Sequence, residues 1–168
     1  MSGASDPFDL ERFVRAQQRT YAGALAEIRS GRKRTHWMWY VFPQAVGLGR
    51  SERSQRHAIR SAAEARAYLE HPVLGPRLLE CSEAMLSVER RSAQDILGSP
   101  DDRKLRSCAT LFASVAAPGS VFERLLEKYF EGPPDVRTLE WLKDSGRPCG
   151  GLRGALDDGA GRRHPQIG

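Results

Sequence analysis

Lysine is scarce in this chain. It stands only at positions 33, 104, 128 and 143, so 22 of the 26 basic residues are arginine. A GC-rich coding genome alone produces that skew, and the net charge of +5 is therefore only a modest argument for a nucleic-acid partner. Cysteine is scarcer still. Cys81, Cys108 and Cys149 are odd in number and far apart, which argues against a disulfide framework and against a paired-cysteine zinc or redox motif. No apolar run approaches the roughly 20 residues of a membrane-spanning helix. The opening "MSGASDPFDLE" has neither the basic start nor the apolar segment of a secretion signal. A cytoplasmic protein with no membrane partner is expected. His36, His57, His71 and His164 show neither HxxxH nor HExxH spacing, so no metal site is expected.

What is present is ordinary for a globular domain: 40% hydrophobic and 28% charged residues in 168, enough chain for one domain to bury roughly two-thirds of its unfolded surface. Helical start signals recur along it. Asp6, Pro7 and Asp9 precede apolar residues at 10, 13, 14, 21, 25 and 28, which predicts one amphipathic helix running to Gly31. Ser54 offers a helix start, and the Ser61 to Glu64 spacing predicts a capping box. Leu74, Leu78, Leu79, Met85, Leu86 and Val88 mark a long helix that Gly75 and Pro76 delay towards the proline. Ser92 caps a short helix. Ser99 and Pro100 lead Asp101 and Asp102 into another, where two acids suit the helix dipole. Val121 to Phe130 forms a broad apolar face, and Asp135 starts a last short helix. No strand alternation is convincing. The expected fold is mainly α, a compact single-domain bundle of about five to seven helices with an irregular aromatic-rich segment, over residues 6–143. Residues 144–168, rich in glycine and arginine, read as a flexible tail.

The stretch "RTHWMWYVFPQAVGLGRS", residues 34–51, carries the functional signal. Six successive apolar residues, Trp37 to Phe42, point in every direction on a helix and to both faces of a strand, so the row must be enclosed on nearly all sides. Pro43 pushes Phe42 towards extended backbone and ends any helix before it. Two readings stay open: a core element whose indole N–H groups and tyrosine hydroxyl find buried partners, or a wall with one side facing a pocket where aromatics stack on a flat ligand. Arg29, Arg32, Lys33, Arg34, Arg50, Arg53, Arg56 and Arg60 bracket the row, opposed only by Glu52. In "GLGRSERS", Gly47 and Gly49 permit close backbone approach, Arg50 and Arg53 bring charge, and Ser51 or Ser54 opens a helix, a setting that suits a phosphate. It is not a Walker loop, because no Gly-Lys-Ser/Thr follows. Nor is it a dinucleotide fingerprint, because Glu52 takes the third glycine position. No cofactor is expected.

Four ordered blocks, "HWMWYVFPQ" with "GLGRS", "EARAYLEHPVLGPRL", "GSPDDRKLRSCATLF" and "VFERLLEKYFEGPPDVRTLEWL", resemble the bacterial domain of unknown function family 1810. The resemblance implies a mostly helical single domain and no known reaction. Members sometimes carry the label calpastatin, but that inhibitor is disordered and repetitive, and this chain is neither. Similar sequences tend to read Ser-Ser-Met-Thr-Leu-Phe where this one has Ser107, Cys108, Ala109, Thr110, Leu111, Phe112, which leaves the second hydroxyl without a role.

The leading expectation is a small anionic aromatic ligand, nucleotide- or ADP-ribose-like, bound by His36, Trp39, Tyr40, Gln44, Gly47, Gly49, Arg50, Ser51 and Lys104. A hydrolase is one form of it, on an outline similar to small helical NADAR-type N-glycosidases without a residue-by-residue match. His36 and Asp102, the latter with Lys104 near it in sequence, are the catalytic candidates. The alternative is a non-enzymatic module whose basic surface meets nucleic acid or an acidic protein. The two separate on whether Trp39, Tyr40 and Arg50 border one concavity.

Overall fold

A computed structural model describes residues 5–145. Ten helices occur among them: α1 Glu11–Gln17, α2 Tyr21–Arg29, α3 Met38–Val41, α4 Glu52–Arg56, α5 Ala62–Glu70, α6 Leu74–Ser87, α7 Ala93–Leu97, α8 Asp101–Ala113, α9 Val121–Phe130 and α10 Val136–Ser145. The mainly helical expectation holds. The count exceeds five to seven because α3, α4 and α7 are single turns of four or five residues. No strand forms among the described residues, where Ala45 and Ile59 make an isolated parallel bridge. Of the stretch read as a tail, Asp144 and Ser145 belong to α10, and residues 146–168, with Cys149 and His164, lie outside the described residues.

Two helices organise the packing. The central α8 touches α5, α7, α9 and α10, and α6 touches α2, α3, α5 and α9, so α5 and α9 are shared between them. On α8 the core stripe is Leu105, Cys108, Ala109 and Phe112, the i, i+3, i+4, i+7 face that a 3.6-residue period brings together. Phe112 meets Tyr68 of α5 and Phe122 of α9 at ring separations of 5.4 and 5.6 Å, within the range where aromatic pairs add to area burial.

Capping residues delimit the elements as their chemistry dictates. Ser92 and Asp95 complete a reciprocal box on α7. Ser120 accepts the Glu123 N–H to start α9, and Asp135 accepts the Thr138 N–H and hydroxyl at 2.9 and 2.6 Å to start α10. Ser61 accepts the Glu64 N–H, but the other half of its expected box is diverted. The Glu64 carboxylate is 1% exposed, accepts the Arg60 N–H and pairs with Arg12 at 2.5 Å.

Two expectations are corrected. The single helix from Asp6 to Gly31 is two helices. Asp6 does cap, accepting the Leu10 and Glu11 N–H groups, but Asp9 sits at φ 52° and the helix begins after it. The chain breaks again at residues 18–20, where Gln17 turns its amide into the core (below). The long helix starts at Leu74, ahead of Pro76, because a proline in the first turn forfeits only an N–H that has no intrahelical partner. His71 opens that start: its Nδ1 accepts the Val73 and Leu74 N–H groups, a capping role.

Gly75 is required by contact. A Cβ there would lie 2.0 Å from the Leu69 carbonyl oxygen, whereas one on Gly23 of α2 would meet nothing within 4 Å. Gly75→Ala should lower stability by about 3 kcal/mol despite its gain in helix propensity. Gly23→Ala should raise it by up to ~1 kcal/mol. Urea unfolding of the two variants should show midpoints displaced in opposite directions.

Candidate functional site

The aromatic row resolves residue by residue. Trp37, Met38, Tyr40, Val41 and Phe42 are buried and Trp39 is half-buried, so core and wall coexist in six residues. Helix α3 stops at Val41 before Pro43, with Phe42 at φ −123° and ψ 72°. Three polar partners hold the row from outside it. Gln17 donates to the Tyr40 carbonyl at 2.6 Å and to the Tyr68 hydroxyl at 3.1 Å, and Tyr68 donates to the same carbonyl. Glu27 accepts four bonds: from the backbone N–H groups of Arg34 and Thr35, from the Thr35 hydroxyl and from the Trp37 indole at 2.7 Å. Burial alone would raise the Glu27 carboxyl. The four donors outweigh it and hold the pKa down at about 2, against an ordinary 4.5, because each bond favours the charged form.

Beyond Pro43 the chain forms a closed excursion. The Val46 N–H donates to Ile59 O and the Ile59 N–H to Gln44 O, both at 2.8 Å, which pins the two ends of the segment carrying α4. Arg12 fastens its far side, donating to the carbonyls of Arg56 and Ala58. Gly49 is needed within the segment, since a Cβ would meet Ser54 Cβ at 2.4 Å. Its close approach is to its own chain. Gly47 adopts φ 88°, a turn conformation that glycine takes without strain.

Helix α4 parts two depressions. One, of about 470 Å³, is lined by Gln44, Leu48, Gly49, Arg50, Ser51 and Ser54 from the excursion, by Pro100, Arg103, Lys104 and Ser107 from the start of α8, and by Asp135 and Arg137 at the start of α10. The other, of about 270 Å³, is an aromatic cleft of His36, Trp39, Tyr40, Arg53, Arg56 and His57. Trp39 and Tyr40 thus do not share a concavity with Arg50, which counts against the expected single site that stacks an aromatic ligand and holds its phosphate together. Of the residues expected to bind, Gln44, Gly49, Arg50, Ser51 and Lys104 meet in the larger cavity, His36, Trp39 and Tyr40 meet in the cleft, and Gly47 lines neither. Ser51 caps α4 by accepting the Ser54 N–H, and the two hydroxyls bond each other at 2.6 Å.

Electrostatics distinguishes the two. In the cavity Lys104 is partly neutralised by Asp101 at 3.1 Å, which also holds Lys33 at 3.0 Å. Arg50, Arg103 and Arg137 have no carboxylate within ion-pairing distance among the described residues. The one acid of the lining among the described residues, Asp135, caps α10 through Oδ2. Asp102 is not part of this group. It lies on the side of α8 away from the Pro100, Arg103, Ser107 stripe, Lys104 pairs with Asp101 in its place, and Asp102 Oδ1 is buried without a hydrogen-bond partner. In the cleft, Arg53 lies over the Trp39 ring at 5.5 Å, and His57 meets Tyr40 edge-on at 5.8 Å. Burial lowers the His57 pKa, a bond from Nδ1 to the Arg53 carbonyl opposes that, and Arg12 and Arg56 lower it further.

Sequence reasoning missed Arg103, Ser107, Asp135 and Arg137 for the cavity and His57 for the cleft. Arg103 and Ser107 were findable, since they share one face of a helix whose opposite face is apolar. Arg137 carries no such signal, because only the docking of α10 on α8 brings it there. Among the described residues no group of three or more His, Cys, Asp or Glu is placed to hold a metal ion, and no helix is long and apolar enough to cross a membrane.

Fold and cavity together define an all-helical domain with a cation-lined concavity between its α4, α8 and α10 segments. The family model described as "Protein of unknown function (DUF1810)" matches residues 7–142, and the chain belongs to that family. Among solved structures it is similar to the conserved hypothetical protein Rv1873 from Mycobacterium tuberculosis, with 51% identity, 82% of this chain and 99% of that chain covered, and a TM-score of 0.81. No curated protein matches the chain.

The Glu27 cluster sets a pH dependence. A carboxyl depressed from 4.5 to about 2 in the folded state contributes stability that is fully present above pH 4.5 and lost as pH falls through the folded value. Glu27→Gln should be less stable than the parent by ~2 kcal/mol at pH 7. That difference should narrow steadily in denaturant unfolding curves recorded between pH 5 and pH 2.

Proposed function

We propose that the protein binds a small anionic ligand, nucleotide- or ADP-ribose-like, with its phosphate end in the cavity between α4, α8 and α10. The observation that carries this reading is the convergence of Arg50, Arg103 and Arg137, from three separate chain segments, on one concavity whose only carboxylate among the described residues, Asp135, caps α10. Guanidinium forks match phosphate oxygens bidentately, and three unpaired cations around one hollow repel one another until an anion enters. The volume of about 470 Å³ lies within the span of small-molecule sites. The lining supports binding more than hydrolysis: among the described residues it holds no histidine, and its one carboxylate, Asp135, caps α10 instead of standing free as a general base.

Titration calorimetry and thermal shift on the full chain with inorganic pyrophosphate, AMP and ADP-ribose test the reading. Saturable binding with a rise in Tm is expected. Arg50→Ala and Arg103→Ala should each weaken it about tenfold, the effect of losing one charged hydrogen bond, and Arg15→Ala, at an exposed position of α1, should leave it within twofold. Equal loss in all three, together with oligonucleotide binding that falls steeply with salt, would instead favour a diffuse basic interaction surface.

A further inference from the structure

The larger cavity carries more information than its charge. Among the described residues its walls hold no aromatic ring: the aromatic surface of this region, Trp39 and Tyr40, lies in the separate cleft on the other side of α4. Leu48 and Pro100 are its only hydrophobic lining among the described residues, and the uncharged polar groups are the Gln44 amide and the hydroxyls of Ser51, Ser54 and Ser107. Ser51 and Ser54 satisfy each other. Ser107 differs, because it lines the cavity and no group among the described residues hydrogen-bonds its hydroxyl. A hydroxyl on a cavity wall with its donor and lone pairs unused is free to bond an occupant. A bare phosphate would leave most of about 470 Å³ unfilled, so the occupant has an organic body as well as an anionic end.

From this lining we infer that the part of the ligand next to its phosphate in this cavity is a hydroxyl-rich, non-aromatic body, a sugar or polyol phosphate, held by the Ser107 hydroxyl and the Gln44 amide while Arg50, Arg103 and Arg137 hold the phosphate. This rests on the anion-binding reading and specifies its ligand class. A nucleobase has no stacking surface inside the cavity, so any base the ligand carries lies outside it.

Calorimetry on the full chain with inorganic phosphate, ribose, ribose 5-phosphate and AMP decides the matter. Ribose 5-phosphate should bind at least tenfold tighter than inorganic phosphate, AMP should gain no more than threefold over ribose 5-phosphate, and ribose alone should bind more weakly than either. Ser107→Ala should weaken ribose 5-phosphate fivefold or more and leave inorganic phosphate within twofold, which also serves as the check that the variant is folded. A tenfold margin not reached over inorganic phosphate, a gain above threefold for AMP, or equal losses for both ligands in Ser107→Ala would overturn the sugar-phosphate assignment and leave the anion site standing. Absence of binding by all three phosphates would sink the anion site itself.

Discussion

Much of this structure follows from one carbonyl oxygen. The row from Trp37 to Phe42 is too apolar to lie on a surface, and Pro43 denies it the length of a proper helix, so α3 is a single turn with backbone groups left over inside the core. A buried carbonyl without a partner costs as much as a lost hydrogen bond or more. The Tyr40 oxygen is satisfied by Gln17 and Tyr68. Those two side chains come from α1 and α5, which ties three elements distant in sequence to one atom. The burial of Gln17, an unusual core residue, follows from the same requirement, and so does the end of α1 at that residue. Glu27 plays the matching part at the other end of the row, gathering the N–H groups and the indole that lead into it.

The excursion carrying α4 hangs from this core by equally specific means. Two bonds between residues 44–46 and Ile59 close its base, and Arg12 clamps its return. Arg12 is itself held by the buried Glu64. A buried ion pair contributes little net stability when compared with apolar residues of the same shape. Here it sets orientation: the guanidinium spends its other donors on the backbone oxygens of Phe8, Asp9, Arg56 and Ala58. With both ends fixed, α4 stands as a partition. Successive helical residues diverge by about 100°, which sends Ser51 and Ser54 to the cationic cavity and Arg53, Arg56 and His57 to the aromatic cleft.

That partition explains what could be read from the chain alone. Helix starts were legible where a serine or aspartate closely preceded a helical pattern, as at Ser92 and Asp135, because capping is local chemistry, but Ser54, expected as a start, lies inside α4, which Ser51 caps. The enclosure of the aromatic row was legible because no surface element accommodates six apolar neighbours. That any helix there ends before Pro43 was legible from proline's restriction of the residue before it. The interruption after Gln17 was not, since the cause lies 23 residues away at Tyr40. The aromatic row and the glycine loop looked like two parts of one site because they adjoin in sequence, but α4, which follows both, stands between the two hollows they line. Residues contributed by α8 and α10 were beyond reach, as their approach depends on the packing of the whole bundle.

The departure at Cys108 shows how narrow such distinctions are. Two adjacent positions on α8 have different fates: Ser107 lines the cavity, whereas Cys108 is 1% exposed in the apolar stripe, where burial raises its thiol well above the ordinary range. A thiol behaves there as a small apolar group, and a serine at that position would need a hydrogen-bond partner within the helix or the core. Cysteine in place of the second hydroxyl therefore alters the core and not the site. The first hydroxyl is retained on the side of the helix where the cations gather, and the chemistry of the cavity is independent of the difference.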